Sequence, residues 1–185
     1  MNYCPECASP LQTRATGGVE RRVCTSPQCG FVHWDNPVPV VAALVERHDE
    51  IVFARNAAWP HGVFSVVTGY LEKNETTEAA VAREVNEELG LNAQVVAFLG
   101  HFPFFQKNQL ILAYRVIGDG EVAVSDEIAE IKSVRIANVD TLPIIETFRR
   151  RAAKRSGVNS ATTVDGDFGI LPLAAWCWER CNGSG

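Results

Sequence analysis

The chain has 185 residues, with 17 Lys and Arg against 22 Asp and Glu, a net charge of −5 and a pI near 5.4. With 46% hydrophobic and 21% charged residues, it can build one good core and a small appendage; its acidic balance argues against broad nucleic-acid binding and leaves room only for a local basic patch. No apolar run approaches a membrane span, and the start, MNYCPECASP, lacks the apolar segment of a signal peptide, so a cytoplasmic protein with no membrane partner is expected.

Residues 1–33 are rich in Cys, Pro, Gly and Ser and too poor in apolar runs to form a core unaided. Cys4 and Cys7 make a C-x2-C pair, Cys24 and Cys29 a C-x4-C pair, and 16 residues separate the pairs. Two such knuckles brought together by a hairpin, with Gly17 and Gly18 at the turn, make a structural Cys4 zinc site. A catalytic zinc is disfavoured, because four cysteines close its coordination shell. The alternative is four free buried thiols. Arg14, Arg21 and Arg22 lend slight support to a nucleic-acid-binding ribbon, but no aromatic residue interleaves with them to stack on bases.

Two β-branched runs, 38–46 and 51–55, flank the polar RHDE and predict a hairpin. GVFSVVTGY predicts a third strand, residues 76–89 a helix, and AQVVAFLGHF and NQLILAYRVIG two further strands, followed by a turn at 118–121. IKSVRIAN reads as a short strand, IIETFRRRAAKR as a helix, 156–169 as a loop and LPLAAWCWERC as a last short helix. A mixed, largely antiparallel sheet covered by helices follows, an α+β arrangement. The domains expected are a ribbon at 1–33, a main domain at 34–155 and a tail at 156–185. Cys177 and Cys181 in that tail are taken as buried free cysteines, and RRRAAKR (149–155) as a solvated helix face.

The helix carries the chemistry. On a wheel of about 100° per residue, Glu84, Glu87 and Glu88 share an arc of about 100°, next to an apolar arc of Val81, Val85, Leu89, Ala82 and Ala79. Like charges so stacked repel by a few tenths of a kcal/mol per pair, about 0.2–0.5. A solvated helix face is the plain reading of such a stripe. A hard divalent cation, which takes oxygen ligands and is shared with substrate phosphates, would offset the repulsion. Arg83 lies beside the cluster, where it can orient a carboxylate. Gly69 reads as permitting a tight turn after the third strand, and Gly90 as a helix C-cap.

The stretch from Gly69 to Leu91 resembles the Nudix box, G-x5-E-x7-R-E-U-x-E-E-x-G-U with U a bulky apolar residue. Gly69, Glu75, Arg83, Glu84, Val85, Glu87, Glu88, Gly90 and Leu91 fill every constrained position. The resemblance implies a Nudix α/β/α sandwich with a mixed sheet, hydrolysing a nucleoside diphosphate linked to another group. It implies Glu84, Glu87 and Glu88 as ligands of magnesium or manganese, Arg83 as the residue orienting a glutamate, and Glu75 as support for the loop and helix. Arg83, Glu84, Glu87 and Glu88 are thus the expected catalytic set.

A Cys4 ribbon placed before such a domain, with Asp35, Asn36 and Pro37 between them, is similar to the NADH pyrophosphatase group over residues 4 to about 150. That similarity implies a homodimer acting on a dinucleotide such as NADH or NAD, with Tyr70 stacking on a base or nicotinamide ring. The group's S-Q-P-W motif is half kept: His101 and Phe102 replace its polar pair, whereas Pro103 and Phe104 keep its Pro and an aromatic. Phe104 is therefore a candidate substrate contact. FAD, ADP-ribose and NAD-capped RNA stand as alternative substrates. Glu127, in a segment resembling the group's DEIxE, is a candidate fourth cation ligand, with Glu130 a weaker one. A zinc-ribbon protein that binds nucleic acid or a partner without turnover is the competing class.

Overall fold

The computed structural model describes residues 1–135. The chain divides into two compact units, Met1–Pro37 and a second beginning at Val38. In the first, strands β1 (Leu11–Thr16) and β2 (Val19–Cys24) form a hairpin, and β3 (Val32–His33) pairs antiparallel with β2. Gly17 and Gly18 supply the turn with φ of 63° and 81°, a left-handed geometry that costs other residues sterically. The interior is small: Cys4, Leu11 and Cys24 are buried, with Cys29 and Phe31 against them.

The second unit is built on β4 (Val38–Arg47), β5 (Glu50–Asn56), β6 (Val67–Tyr70), β7 (Asn92–Phe104), β8 (Gln109–Asp119), β9 (Ile128–Arg135) and one helix, α1 (Thr77–Leu89). The sheet runs β7-β8-β4-β5-β9, with β6 also paired to β4. Only the β4–β8 pairing is parallel among the described strands, so the sheet is mixed and largely antiparallel, as the sequence predicts. The β4–β5 hairpin turns at His48 and Asp49, both at positive φ, as a two-residue turn matched to strand twist requires.

The third strand is shorter than predicted. Ser65 bridges to Ala54 on β5, and only Val67–Tyr70 pairs with β4, from Val67 opposite Ala43 to Tyr70 opposite Val40. Beyond Val45↔Val52, β6 therefore replaces β5 as the neighbour of β4. Strand β9 starts at Ile128, earlier than expected.

Alternation along β4 sends Val41, Ala43 and Val45 to one face and Val40 and Ala42 to the other, and all are buried. A strand buried on both faces reads as a continuous apolar run. The first face packs on Ala80, Val81, Val85 and Leu89 of α1 together with Leu91, Tyr114 and Val116. The second gathers Ile51, Phe53, Phe102, Phe104 and Ile111. The helix predicted over 144–155 lies outside the described residues, as does the tail with Cys177 and Cys181. No helix among the described residues is long and apolar enough to cross a membrane.

Candidate active site

In the second unit a cleft of about 650 Å³ is lined by the acidic Glu72, Glu84, Glu87, Glu88 and Glu127 and by the apolar or aromatic Val40, Trp59, Val66, Tyr70 and Ile128. Local rules place α1 beneath it. Thr76 caps the N-terminus by accepting the Ala79 N–H, and Gly90 at φ 69° closes the C-terminus by donating to the Asn86 carbonyl. The acidic stripe is only partly solvated: Glu84 and Glu88 are half-buried, whereas Glu87 is exposed. Ala80, one turn before Glu84 on the same side, is fully buried, whereas Ala79, expected in the core, is exposed.

Gly69 is not a turn residue. It lies within β6, paired with Val41 and without a positive φ. Its role is close approach: a Cβ there would meet the Glu84 Cδ at 1.8 Å. The glycine is the space the carboxylate occupies.

Arg83 organises the acids. Its Nε and Nη2 bind Glu75 at 2.9 and 3.1 Å, its Nη1 binds Glu84 at 2.7 Å and Glu87 at 2.9 Å, and Nη2 also donates to the Tyr70 carbonyl. Glu75 in turn accepts the Glu72 N–H at 3.2 Å, which closes the loop before the helix. The hydrogen bond from Arg83 holds the Glu75 carboxyl below its usual range. Burial raises Glu84 against the pull of Arg83. Glu88 is pushed up to about 8, first by burial, then by Glu84, Glu127 and Glu87. A half-buried carboxyl crowded by like charges is one that a bound cation would stabilise in its charged form.

Glu127 comes from the β8–β9 connection. That segment is tied to the end of α1: Ala123 N–H donates to the Leu89 carbonyl at 2.9 Å and Ser125 N–H to the Glu88 carbonyl at 3.1 Å. The carbonyls left over at the helix end thus seat the loop, and Ala57 N–H on the Glu127 carbonyl at 2.7 Å fixes its other side. Glu130 is turned away, bonded to Arg55. Tyr70 is 61% exposed at the rim, and its hydroxyl accepts from Gln109 Nε2 at 3.3 Å. Phe104 is not brought to the cleft. It is buried in the second-face cluster beside Phe102, because strand alternation with Phe102 turns both rings onto that face.

Sequence reasoning missed Trp59, Asn56 and Gln109, which also line the cleft. Trp59 lies in a Pro- and Gly-containing connection, AAWPHG, where an unexplained aromatic was the available signal. Asn56 and Gln109 sit at strand ends that meet only through the sheet order.

The first unit holds a separate site. Cys4, Cys7, Cys24 and Cys29 place their sulfurs within 4.8 Å of one another, and they are the compact ligand group found among the described residues. The Cys4–Cys29 and Cys7–Cys24 sulfurs are 3.7 and 3.4 Å apart. A tetrahedral ion bound at about 2.3 Å to four sulfurs spaces them by about 3.8 Å, so the set fits one such ion. The Cys7 thiol is drawn down to about 6, first by hydrogen bonding with Ser9, while burial raises Cys24.

A family model for the NUDIX domain matches residues 35–155. Among curated relatives, the NAD-capped RNA hydrolase NudC of Stutzerimonas stutzeri (strain A1501) is 35% identical over 147 residues, covering 77% of this chain and 50% of the relative. The mitochondrial NAD(P)H pyrophosphatase NUDT13 of Mus musculus is 26% identical over 140 residues, covering 75% of this chain and 39% of the relative. The chain therefore spans about half the length, or less, of these relatives. A NUDIX hydrolase from Nitrosomonas europaea shares the fold, with a TM-score of 0.68 at 20% identity over 88% of this chain and 97% of that one. With the family model covering well over half of the sequence, and Gly69, Glu84, Glu87 and Glu88 of the box lining one cleft, the chain belongs to the NUDIX domain family.

Proposed function

We propose that the protein is a divalent-cation-dependent hydrolase that splits the pyrophosphate bond of a dinucleotide, NADH or NAD, into two mononucleotides. The observation that carries this reading is that Glu84, Glu87, Glu88 and Glu127 line one cleft together with Tyr70, Trp59 and apolar side chains. Magnesium or manganese bound there supplies positive charge to the pyrophosphate oxygens and makes water more acidic. The chain's own residues do the rest. Glu84, Glu87, Glu88 and Glu127 hold the cation, and Arg83 fixes Glu84 and Glu87 in place. Tyr70 and Trp59 offer ring surface for a base or nicotinamide. Hydrolysis adds water across the P–O–P bridge: its oxygen bonds one phosphorus, and the bridging oxygen leaves with the other phosphate.

Zinc at the four cysteines is structural in this reading, and the protein acts in the cytoplasm as a homodimer. NAD-capped RNA is a second substrate reading, supported by the name of the NudC relatives; FAD and ADP-ribose complete the set. A hydrolysis panel over NADH, NAD, FAD, ADP-ribose and NAD-capped RNA, with magnesium and with manganese, tests the proposal. Glu87→Gln and Glu88→Gln are expected to cut turnover by about two orders of magnitude or more with folding intact. Unchanged rates in both would remove the cleft from the chemistry.

A further inference from the structure

The hairpin of the first unit carries an arrangement that the sequence reading did not find. Arg14 on β1 lies directly opposite Arg21 on β2, so the two guanidinium side chains leave the same face of the sheet. Like charges directly opposite on paired strands destabilise them. None of Arg14, Arg21 and Arg22 forms an ion pair among the described residues. The register Arg22↔His33 and Val23↔Val32 continues to put Trp34 across from Arg21. The Arg21 guanidinium indeed stacks 4.8 Å from the Trp34 ring centroid and donates to the Trp34 carbonyl. Trp34 nevertheless remains 51% exposed. Arg21 Nε is buried with no hydrogen-bond partner, so the guanidinium is incompletely satisfied where it stands.

The row Arg14–Arg21–Trp34 thus combines two cations without counter-ions and a half-open indole on one side of a sheet. Of the nearby carboxylates, Glu20 pairs with Ala15 and so belongs to the opposite face, and Glu6 accepts from the Cys29 thiol. Phosphates spaced along a flexible strand would relieve the arginine pair. An unpaired base has a π face for the indole, and stacking of that kind needs no sequence.

We infer that this face binds single-stranded RNA, with phosphates at Arg14 and Arg21 and a base stacked on Trp34. Single-stranded DNA offers similar chemistry. The choice of RNA rests on the reading above in which an RNA-linked dinucleotide is a substrate. The row belongs to the first unit and its binding does not depend on hydrolysis. A duplex, whose bases are already stacked, fits the row poorly.

The test uses the full zinc-loaded chain and a fluorescein-labelled, uncapped 12-nucleotide RNA, with binding followed by anisotropy at several salt concentrations. Saturable binding is expected at low salt, weaker for the DNA of the same sequence and weaker again for the RNA duplex. Trp34→Ala should loosen binding about tenfold or more, with Trp34→Phe retaining most of it. Arg14→Glu alters an exposed side chain and serves as the second variant should Trp34→Ala lose zinc. It should weaken binding and flatten the dependence of log K on log salt by about 0.7 or more. Trp34→Ala should cleave NADH at the parent rate, so loss of RNA binding and loss of hydrolysis report on different sites. No binding by the parent chain at low salt, equal or tighter binding of duplex or DNA, or unaltered binding by Arg14→Glu would overturn the inference.

Discussion

At the scale of single residues, the site depends on one side chain that is missing. Gly69 leaves the room that the Glu84 carboxyl takes up. Gly69→Ala is expected to displace Glu84, destabilise the domain by about 1–3 kcal/mol and lower turnover at least 100-fold, measured by denaturant unfolding and by steady-state hydrolysis. Glu88 makes a second prediction through its proton. With its carboxyl at about 8 in the folded protein against 4.5 ordinarily, the folded state holds a proton that the unfolded chain has released. Its stabilising contribution is complete below about pH 4.5 and is lost as the pH rises to about 8. Without added magnesium or manganese, the melting temperature should decline across that window. Glu88→Gln should flatten the decline, and either cation should raise the melting temperature most at the alkaline end. A pH-independent difference between parent and variant would refute this.

At the scale of elements, α1 was legible because two independent signals coincide: the 3.6-residue spacing of Val81, Val85 and Leu89, and Gly90 at the stop; the structure adds the Thr76 cap. Thr76→Ala should cost about 1 kcal/mol in chemical denaturation while leaving the site's geometry intact. Gly90 was readable from the sequence as a cap, whereas Gly69 was misread as a turn, because close approach leaves no local pattern. The same limit explains Phe104. The resemblance aligned it with a substrate contact, but side-chain direction on a strand depends on the register of its partners, which the sequence does not print. Glu127 was found through family similarity; its position depends on hydrogen bonds to the Leu89 and Glu88 carbonyls, which no residue type in that loop announces. Trp34 was overlooked for a related reason. It is distant from Arg21 in the chain and becomes its neighbour only when a third strand joins the hairpin.

At the scale of the whole molecule, two units with different sources of stability share one chain. The first has a very small apolar interior, so bound metal is expected to supply much of its folding free energy. Elemental analysis should find one zinc per chain, and none after Cys24→Ser. Hydrogen exchange on that variant should show residues 1–37 losing protection while the strands of the second unit keep theirs. Uniform loss throughout would mean that the two units fold as one. The cysteine spacing and the box were both legible in sequence because each is a local pattern; the cleft was not, because its lining comes from several strands, α1 and the β8–β9 connection.

That strand exchange beside β4 has an evolutionary consequence. Ala54 and Asn56 line the cleft from one strand, Val66 and Thr68 from the segment that supplants it, and the connection from 57 to 64 joins them beyond the Ala54–Ser65 bridge. Lengthening or trimming that connection would resize the mouth of the pocket while sparing the paired rungs on either side. Changes in substrate preference among descendants of this chain should therefore accumulate as insertions and deletions there, long before any carboxylate is exchanged.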